Sequence, residues 1–370
     1  MASSKQLHDI RAISSMFDMR ADYVSASAYG SGHINDTYCA WFDQAGQRVR
    51  HIVQRINHNV FKQPVQLMEN VDRVTRHALA TLRAEGNPEP HRRTLTCIPS
   101  HDGKPYAIDA EGSVWRVYPF IERARGHDEL QTNEQAYQAA RAFGEFQKLA
   151  ATLGGERLHE TIPNFHNTPK RLEALEAAIA ADSAGRASEV AAEIAFARAR
   201  AADCSRITDL IASGEIPERV THNDTKLNNV LLDDVTAEGV CVIDLDTTMP
   251  GSALYDFGDM VRTAAPTTRE DDPDPKNIGV RLDRFEALVR GYLSSATFLN
   301  EHEISHLAFS GKLLTLECGI RFLTDYLQGD VYFKIARPAH NIDRCRNQFA
   351  FVKAIEDNMS AMEEIVSRHR

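Results

Sequence analysis

Asp224, Asn229 and Asp244 have the residue types and spacing that phosphoryl transfer to an alcohol requires. The stretch reads Thr221-His222-Asn223-Asp224-Thr225-Lys226-Leu227-Asn228-Asn229, and Cys241-Val242-Ile243-Asp244-Leu245-Asp246 follows shortly after. Moving a phosphoryl group asks little covalent chemistry of a protein; catalysis lies in placing charge around a metal-bound triphosphate. One carboxylate must accept the hydroxyl proton, and oxygen donors must hold magnesium against the phosphates. Asp224 suits the first task. Asn229 suits the second, as does Asp244, which the apolar run Val240–Ile243 delivers at a strand end. Lys226 stands two residues beyond the candidate base, where it can meet the transferred phosphate.

Taken singly, each residue has an ordinary explanation. His222 reads as a packed histidine that orients the loop, Asn228 and Asn229 as turn residues, and Asp244 and Asp246 as a solvated strand end. Together, in this order and between two strand-like apolar segments, they form the H-x-D-x-x-x-x-N spacing of a kinase catalytic loop with its downstream metal-binding aspartate.

Residues from about Val24 to Tyr118 must supply the nucleotide side. Short strands are predicted over Tyr23–Ala28, Thr37–Phe42, Arg48–Ile56, Thr94–Pro99, Ala107–Ala110 and Val114–Phe120. The apolar spacing between Gln63 and Leu82 predicts an amphipathic helix. Gly30-Ser31-Gly32 lies between two strands, so its backbone N–H groups can approach phosphate oxygens without side-chain obstruction; alone, such a turn is more often a plain hairpin. The next part expected is a strand lysine paired with a helix glutamate. The matching strand reads His51-Ile52-Val53-Gln54-Arg55, which puts Ile52 and Gln54 on one face. With Ile52 against the adenine, Gln54 takes the lysine position without a charge. Phosphate charge would then fall to magnesium and Lys226, and no lysine–glutamate pair would organise the helix. Backbone groups of Phe120, Ile121 and Glu122 are expected to meet the adenine edge at a hinge.

Beyond Glu122 the pattern turns helical: Gln135–Leu149, Pro169–Ala180, Glu189–Ala212, and, past the catalytic segment, Leu282–Leu293, Ile304–Leu327 and Arg344–Val366. This predicts an α+β, two-lobed protein-kinase-like fold. Residues 1–118 would form a small antiparallel-sheet lobe with one helix, 119–370 a larger, mainly helical lobe, and 119–123 the hinge.

The chain has 370 residues, 43% of them hydrophobic, enough for packed cores. A net charge of −10 argues against a general nucleic-acid or anionic-membrane binder. The N-terminus has no unbroken apolar core, no run is long enough to span a bilayer, and the six cysteines are scattered without a C-x-x-C pair. A cytoplasmic protein with reduced thiols, no zinc site and no obligate protein partner is expected.

Beyond the motif, the chain resembles the aminoglycoside phosphotransferase and choline kinase-like superfamily, and within it is most similar to bacterial N-acetylhexosamine 1-kinases. The likeness runs through Tyr29–Tyr38, Trp115–Tyr118, Arg219–Leu232, Ile243–Asp259 and Leu314–Phe333, including Met249-Pro250-Gly251-Ser252 and Glu317-Cys318-Gly319-Ile320-Arg321-Phe322-Leu323. It implies ATP- and Mg2+-dependent phosphorylation of the anomeric hydroxyl of N-acetylglucosamine or N-acetylgalactosamine. It implies Asp224 as the base facing that hydroxyl, Asn229 and Asp244 as magnesium ligands, and Asp246 as support for the metal or a neighbouring loop. The glutamine in place of lysine looks like a feature shared with these sugar kinases. For the sugar it points to His33 and Arg321, with Asp325, Tyr326 and Tyr332 nearby; Arg321 and Asp325, one helical turn apart, could also form a plain surface pair. Two rival readings are an aminoglycoside, choline or other alcohol kinase, against which Arg321 counts, and a nucleotide-binding pseudokinase, against which the intact Asp224, Asn229 and Asp244 count.

Overall fold

The computed structural model describes residues 8–30, 34–129, 131–274, 276 and 278–370. The chain divides into two compact units. The first comprises residues up to 124 together with 153–162 and 241–248; the second holds 125–152, 163–240 and 249–370.

The first unit opens with a short helix α1 (Ile10–Ser14) and is built on β1 (Asp22–Ala28), β2 (Asp36–Gln44) and β3 (Gln47–Arg55). Helix α2 (Pro64–Ala84) and the single turn α3 (Pro90–Arg93) follow, then β4 (Ala107–Ile108) and β5 (Val114–Pro119). The sheet is antiparallel in the order β1-β2-β3-β5-β4. β-branched and aromatic alternation forms these strands, and their inward residues Tyr38, Ala40, Phe42, Val53, Trp115 and Val117 make one core with Ile10, Ile13 and Phe17 of the N-terminal segment. α2 starts on Pro64 at its first turn and buries Leu67, Met68, Val71, Val74, Ala78 and Leu82 along one stripe. The predicted strand over Thr94–Pro99 does not form. The segment lacks a continuous ladder, bonding through Ile98 N–H to the Val117 carbonyl, and Pro99 has no N–H to extend the pairing.

The two-residue strand β6 (Ala124–Arg125) leads to helices α4 (Asn133–Ala150), α5 (Thr168–Ala181), α6 (Ala191–Arg198) and α7 (Ala201–Ser213). β7 (Arg219–Thr221), β8 (Val230–Asp233), β9 (Gly239–Val242) and β10 (Met249–Gly251) come next, with β7 paired to β10 and β8 central between β6 and β9. The rest is helical: α8 (Ala253–Ala264), α9 (Leu282–Leu293), α10 (Glu301–Ser305), α11 (Leu307–Leu327) and α12 (His340–Arg368). The expected run Glu189–Ala212 breaks after Arg198, because the backbone turns to let Arg200 pair with Glu356 of α12 at 2.7 Å while its guanidinium covers Phe196. The run from Ile304 likewise breaks at His306, α10 being fixed by a capping box between Asn300 and Glu303. Leu316, Ile320, Phe322 and Leu323 of α11 centre the second unit's core, with Leu175, Ile194 and Val352 around them. The architecture is the α+β, protein-kinase-like one expected, with an antiparallel-sheet N-terminal region and a helical C-terminal region. No helix among the described residues is long and apolar enough to cross a membrane, and none of the six cysteines is disulfide-bonded.

Candidate active site

In the second unit the segment from Thr221 to Asn229 is held at nearly every peptide. His222 is fully buried, with Phe143 and Phe146 edge-on at 5.4 and 5.9 Å, and its Nδ1 accepts the Asp224 N–H at 3.2 Å. The carboxylate of Asp256 accepts the N–H groups of His222 (2.9 Å) and Asn223 (2.7 Å), and the Asp256 carbonyl accepts the Thr225 hydroxyl at 2.5 Å. Gln147 of α4 donates to the same carboxylate and is itself bonded by the Tyr292 hydroxyl. Asn223 sits in the left-handed region at φ 65°, a conformation that asparagine tolerates better than most residues. Beside it the chain passes Gly251 so closely that a Cβ there would lie 2.4 Å from Thr221 Oγ1.

This cradle presents Asp224 with its side chain about a quarter exposed and its Oδ1 2.9 Å from Lys226 Nζ. Burial alone would push the Asp224 carboxyl up, but the Lys226 ammonium outweighs it and holds the group below the ordinary carboxylate value, hence ionised at neutral pH. Lys226 is raised in turn, chiefly by the Asp224 charge. The Asn229 side-chain nitrogen donates to the Asp224 carbonyl at 2.9 Å and more weakly to its Oδ2 at 3.4 Å, so neither bond uses the amide oxygen.

Asp256 lies on α8, a helix whose importance is not evident from motif spacing. The signal for it is Ser252, an N-cap ahead of a run so apolar that its first nine residues are all buried.

Asp244 lies in the first unit, exposed, and in the left-handed region at φ 59° just past β9. Strain of that kind in a non-glycine residue persists only where surrounding structure enforces it. Asp246 supplies the enforcement. Its carboxylate forms a fully buried ion pair with Arg116 and accepts from Asn35 Nδ2 at 2.6 Å, so it fixes the turn and is not itself a free ligand. The amide oxygen of Asn229 and the carboxylate of Asp244, each in its own unit, are hard oxygen donors of the kind magnesium takes.

Gln54 on β3 is held by a cation on β5. Gln54 pairs in register with Arg116, whose Nε and Nη2 both donate to Gln54 Oε1, at 2.9 and 2.6 Å. Gln54 Nε2 is thereby turned to Thr37 Oγ1 at 2.8 Å. No charge stands at position 54 itself, and a buried guanidinium one strand over ties the sheet to the Asp244–Asp246 turn. Helix α2 is tied to the same turn by Asn70, which donates to the Thr248 carbonyl at 3.1 Å, while Glu69 faces His159 at 2.7 Å.

At the expected hinge the Phe120 N–H is committed to the Arg50 carbonyl at 3.0 Å and the Glu122 carbonyl accepts from Arg92 at 3.2 Å. The first bond extends the β3–β5 pairing and the second ties the segment to α3. Ile52 is half-buried and Gly30 has φ 80°. Ser31, Gly32 and His33 lie outside the described residues.

Arg321, half-buried on α11, has its guanidinium carbon 5.6, 5.9 and 5.4 Å from the ring centroids of Phe165, Tyr332 and Phe333. Arg171 is near enough that burial and then the Arg321 charge lower its pKa. Asp325 does not join them. Its carboxylate, 2% exposed, accepts the N–H groups of Val331, Tyr332 and Phe333 and the Asn341 amide, so it anchors the loop that carries Tyr332. Tyr326 packs in the core under Arg186. The acceptor contacts expected of Asp325 and Tyr326 thus give way to structural roles. Tyr332 is 66% exposed.

The fold is that of the protein-kinase-like phosphotransferases. The chain belongs to the phosphotransferase enzyme family APH, whose match runs over residues 25–289. Among solved structures it is similar to a microcompartment-associated aminopropanol kinase, with 15% identity over 96% of this chain and 98% of that one at a TM-score of 0.55. It is also similar to an aminoglycoside phosphotransferase from Alicyclobacillus acidocaldarius, with 14% identity, 99% and 98% coverage and a TM-score of 0.56. A choline kinase from Cryptosporidium parvum matches at 13% identity, 93% and 92% coverage and a TM-score of 0.52. The protein is a small-molecule phosphotransferase acting on alcohol groups.

Proposed function

We propose that the protein is an ATP-dependent kinase that phosphorylates the anomeric hydroxyl of a free N-acetylhexosamine. The carrying observation is Arg321. It is an arginine framed by three aromatic rings, with Arg171 beside it and the neighbouring carboxylate of Asp325 spent on backbone N–H groups. A cationic aminoglycoside or choline needs carboxylates or open aromatic faces. A neutral sugar needs oriented donors with an apolar patch for its acetamido methyl, and Arg321 with Phe165 and Tyr332 offers both.

Asp224, ionised and fixed through its own peptide, is the base for the sugar hydroxyl. Asn229 and Asp244 are assigned to magnesium, which when bound neutralises phosphate charge. Gly30, Ile52, Gln54 and the backbone of Phe120, Ile121 and Glu122 are assigned to ATP. Lys226 holds Asp224 ionised until a phosphoryl group offers the ammonium a second anion.

Two results are expected. Arg321→Met should raise KM for N-acetylglucosamine by about 10-fold or more while KM for ATP stays unchanged, since a hydrogen bond to a charged group is worth about 1.5–3 kcal/mol. An unchanged sugar KM in steady-state assays removes Arg321 from the pocket. Lys226→Met should cut turnover and move the acid limb of the pH–rate profile upward. The sign follows from Asp224: its pKa is depressed, so the ionised form persists to lower pH with the lysine present and is lost earlier without it. Little change in turnover, or an acid limb that stays in place, would exclude the lysine from this role.

A further inference from the structure

The geometry points to His166 and Glu317 as a positioning pair that holds the peptide between Asn223 and Asp224, and with it the proposed base, in register with the helix carrying Arg321. This rests on the phosphotransfer reading of Asp224.

His166, at the start of the second unit's middle segment, is 9% exposed and lies between the rings of Phe165 and Tyr255 at 4.6 and 5.4 Å. Its Nε2 is 2.9 Å from the Asn223 carbonyl oxygen, and its Nδ1 is 2.8 Å from Glu317 Oε1. Glu317 is 1% exposed and its other oxygen accepts the Thr168 hydroxyl at 2.7 Å. A carbonyl oxygen only accepts, so Nε2 must carry a proton. An ionised carboxylate also only accepts, so Nδ1 must carry one too. The pair is therefore an imidazolium clamped between a peptide carbonyl and a buried carboxylate. Burial opposes the charged forms, but each partner outweighs it for the other: His166 is raised and Glu317 lowered.

The Asn223 carbonyl belongs to the same peptide unit as the Asp224 N–H, which His222 accepts. That plane is thus gripped at both ends, and its tilt sets where the Asp224 carboxylate points. Glu317 lies one helical turn before Arg321 on α11. The chain of contacts Glu317–His166–Asn223 connects the acceptor-side helix to the base through rigid, buried groups. The charged and titratable groups facing His166 are Glu317 from α11 and Asp256, Asp259 and Tyr255 from α8, with Arg321 facing Glu317.

The test uses the full chain with His166→Ala, Glu317→Ala and Glu317→Gln, reading both sugar phosphorylation and the slow magnesium-dependent hydrolysis of ATP. The glutamine can accept from Thr168 and donate to a neutral His166, whose Nε2–H still reaches Asn223. Both alanine variants should lose about 100-fold in kcat in either reaction with KM for ATP within about threefold, the scale of a 1 Å misplacement, and Glu317→Gln should stay within about fivefold of the parent. The parent should lose activity on the alkaline side: the Glu317 carboxylate keeps the Nδ1 proton, so His166 gives up the Nε2 proton and releases the Asn223 carbonyl, and Glu317→Gln, whose amide holds the neutral histidine with its proton on Nε2, should lack that limb. Folded alanine variants with near-parental kcat, or a glutamine variant as impaired as Glu317→Ala, overturn the pairing. Should the alanine variants not fold, His166→Gln, which keeps a donor to Asn223, must retain turnover; if folded but inactive it also refutes the assignment. A parent that hydrolyses ATP but phosphorylates no sugar would refute the acceptor reading alone, because the hydrolysis arm decides the pairing independently.

Discussion

Asp224→Asn is expected to lower turnover by about 10²–10⁴-fold, the usual contribution of a positioned general base, with nucleotide affinity within about threefold of the parent. The substitution preserves shape. An asparagine at 224 can still receive Lys226 on its amide oxygen, and the backbone bonds to His222 and Asn229 remain available. What is lost is the negative charge and the site for the acceptor's proton. Turnover is read by a coupled ADP assay and affinity by fluorescence of a labelled nucleotide. Loss of kcat together with loss of binding would mean that Asp224 chiefly organises the loop; an undiminished rate would remove it from the chemistry.

The second large effect is expected at Arg116, which shares a fully buried ion pair with Asp246 while donating twice to Gln54. Removing one member of such a pair leaves an uncompensated charge in a low-dielectric interior and costs about 3–5 kcal/mol. Arg116→Met should therefore lower the denaturant midpoint of the first unit's unfolding transition. It should also weaken ATP binding, because the turn that carries Asp244 loses its tie to the sheet. Arg116→Met combined with Asp246→Leu should recover most of the stability and none of the nucleotide affinity. A single variant with an unchanged midpoint would contradict the burial argument. A double variant that also recovers affinity would show that the pair stabilises the fold without positioning Asp244.

The elements that the sequence reveals most clearly are those governed by local periodicity. α9 spans Leu282–Leu293 as its apolar spacing predicts, and α2 differs from its expected span by one residue at the start and two at the end. The catalytic loop is legible because its chemistry is concentrated in nine consecutive residues. Arg116 is not, because its meaning depends on pairing. Strand register sets it opposite Gln54, and the Asp246 that neutralises it lies 130 positions further on. The available signal is the arginine itself: a cation inside Val114-Trp115-Arg116-Val117-Tyr118, a strand otherwise apolar or aromatic, must find a buried anion. His166 and Glu317 escape for the same reason, being 151 residues apart. Asp325 shows the opposite failure. Helical spacing set it on the same face as Arg321, yet three N–H groups of the loop after α11 and the Asn341 amide of α12 needed an acceptor, and the carboxylate went to them.

The identity of the acceptor is read directly by one assay. The protein is incubated with ATP, magnesium and single acceptors: N-acetylglucosamine, N-acetylgalactosamine, glucose, an aminoglycoside and choline. Products are assigned by phosphorus–carbon coupling in NMR spectra. Phosphate is expected on C1 of the two N-acetylhexosamines, with little transfer to the cationic acceptors. Phosphate on an aminoglycoside hydroxyl or on choline, with the hexosamines untouched, would contradict the hexosamine assignment.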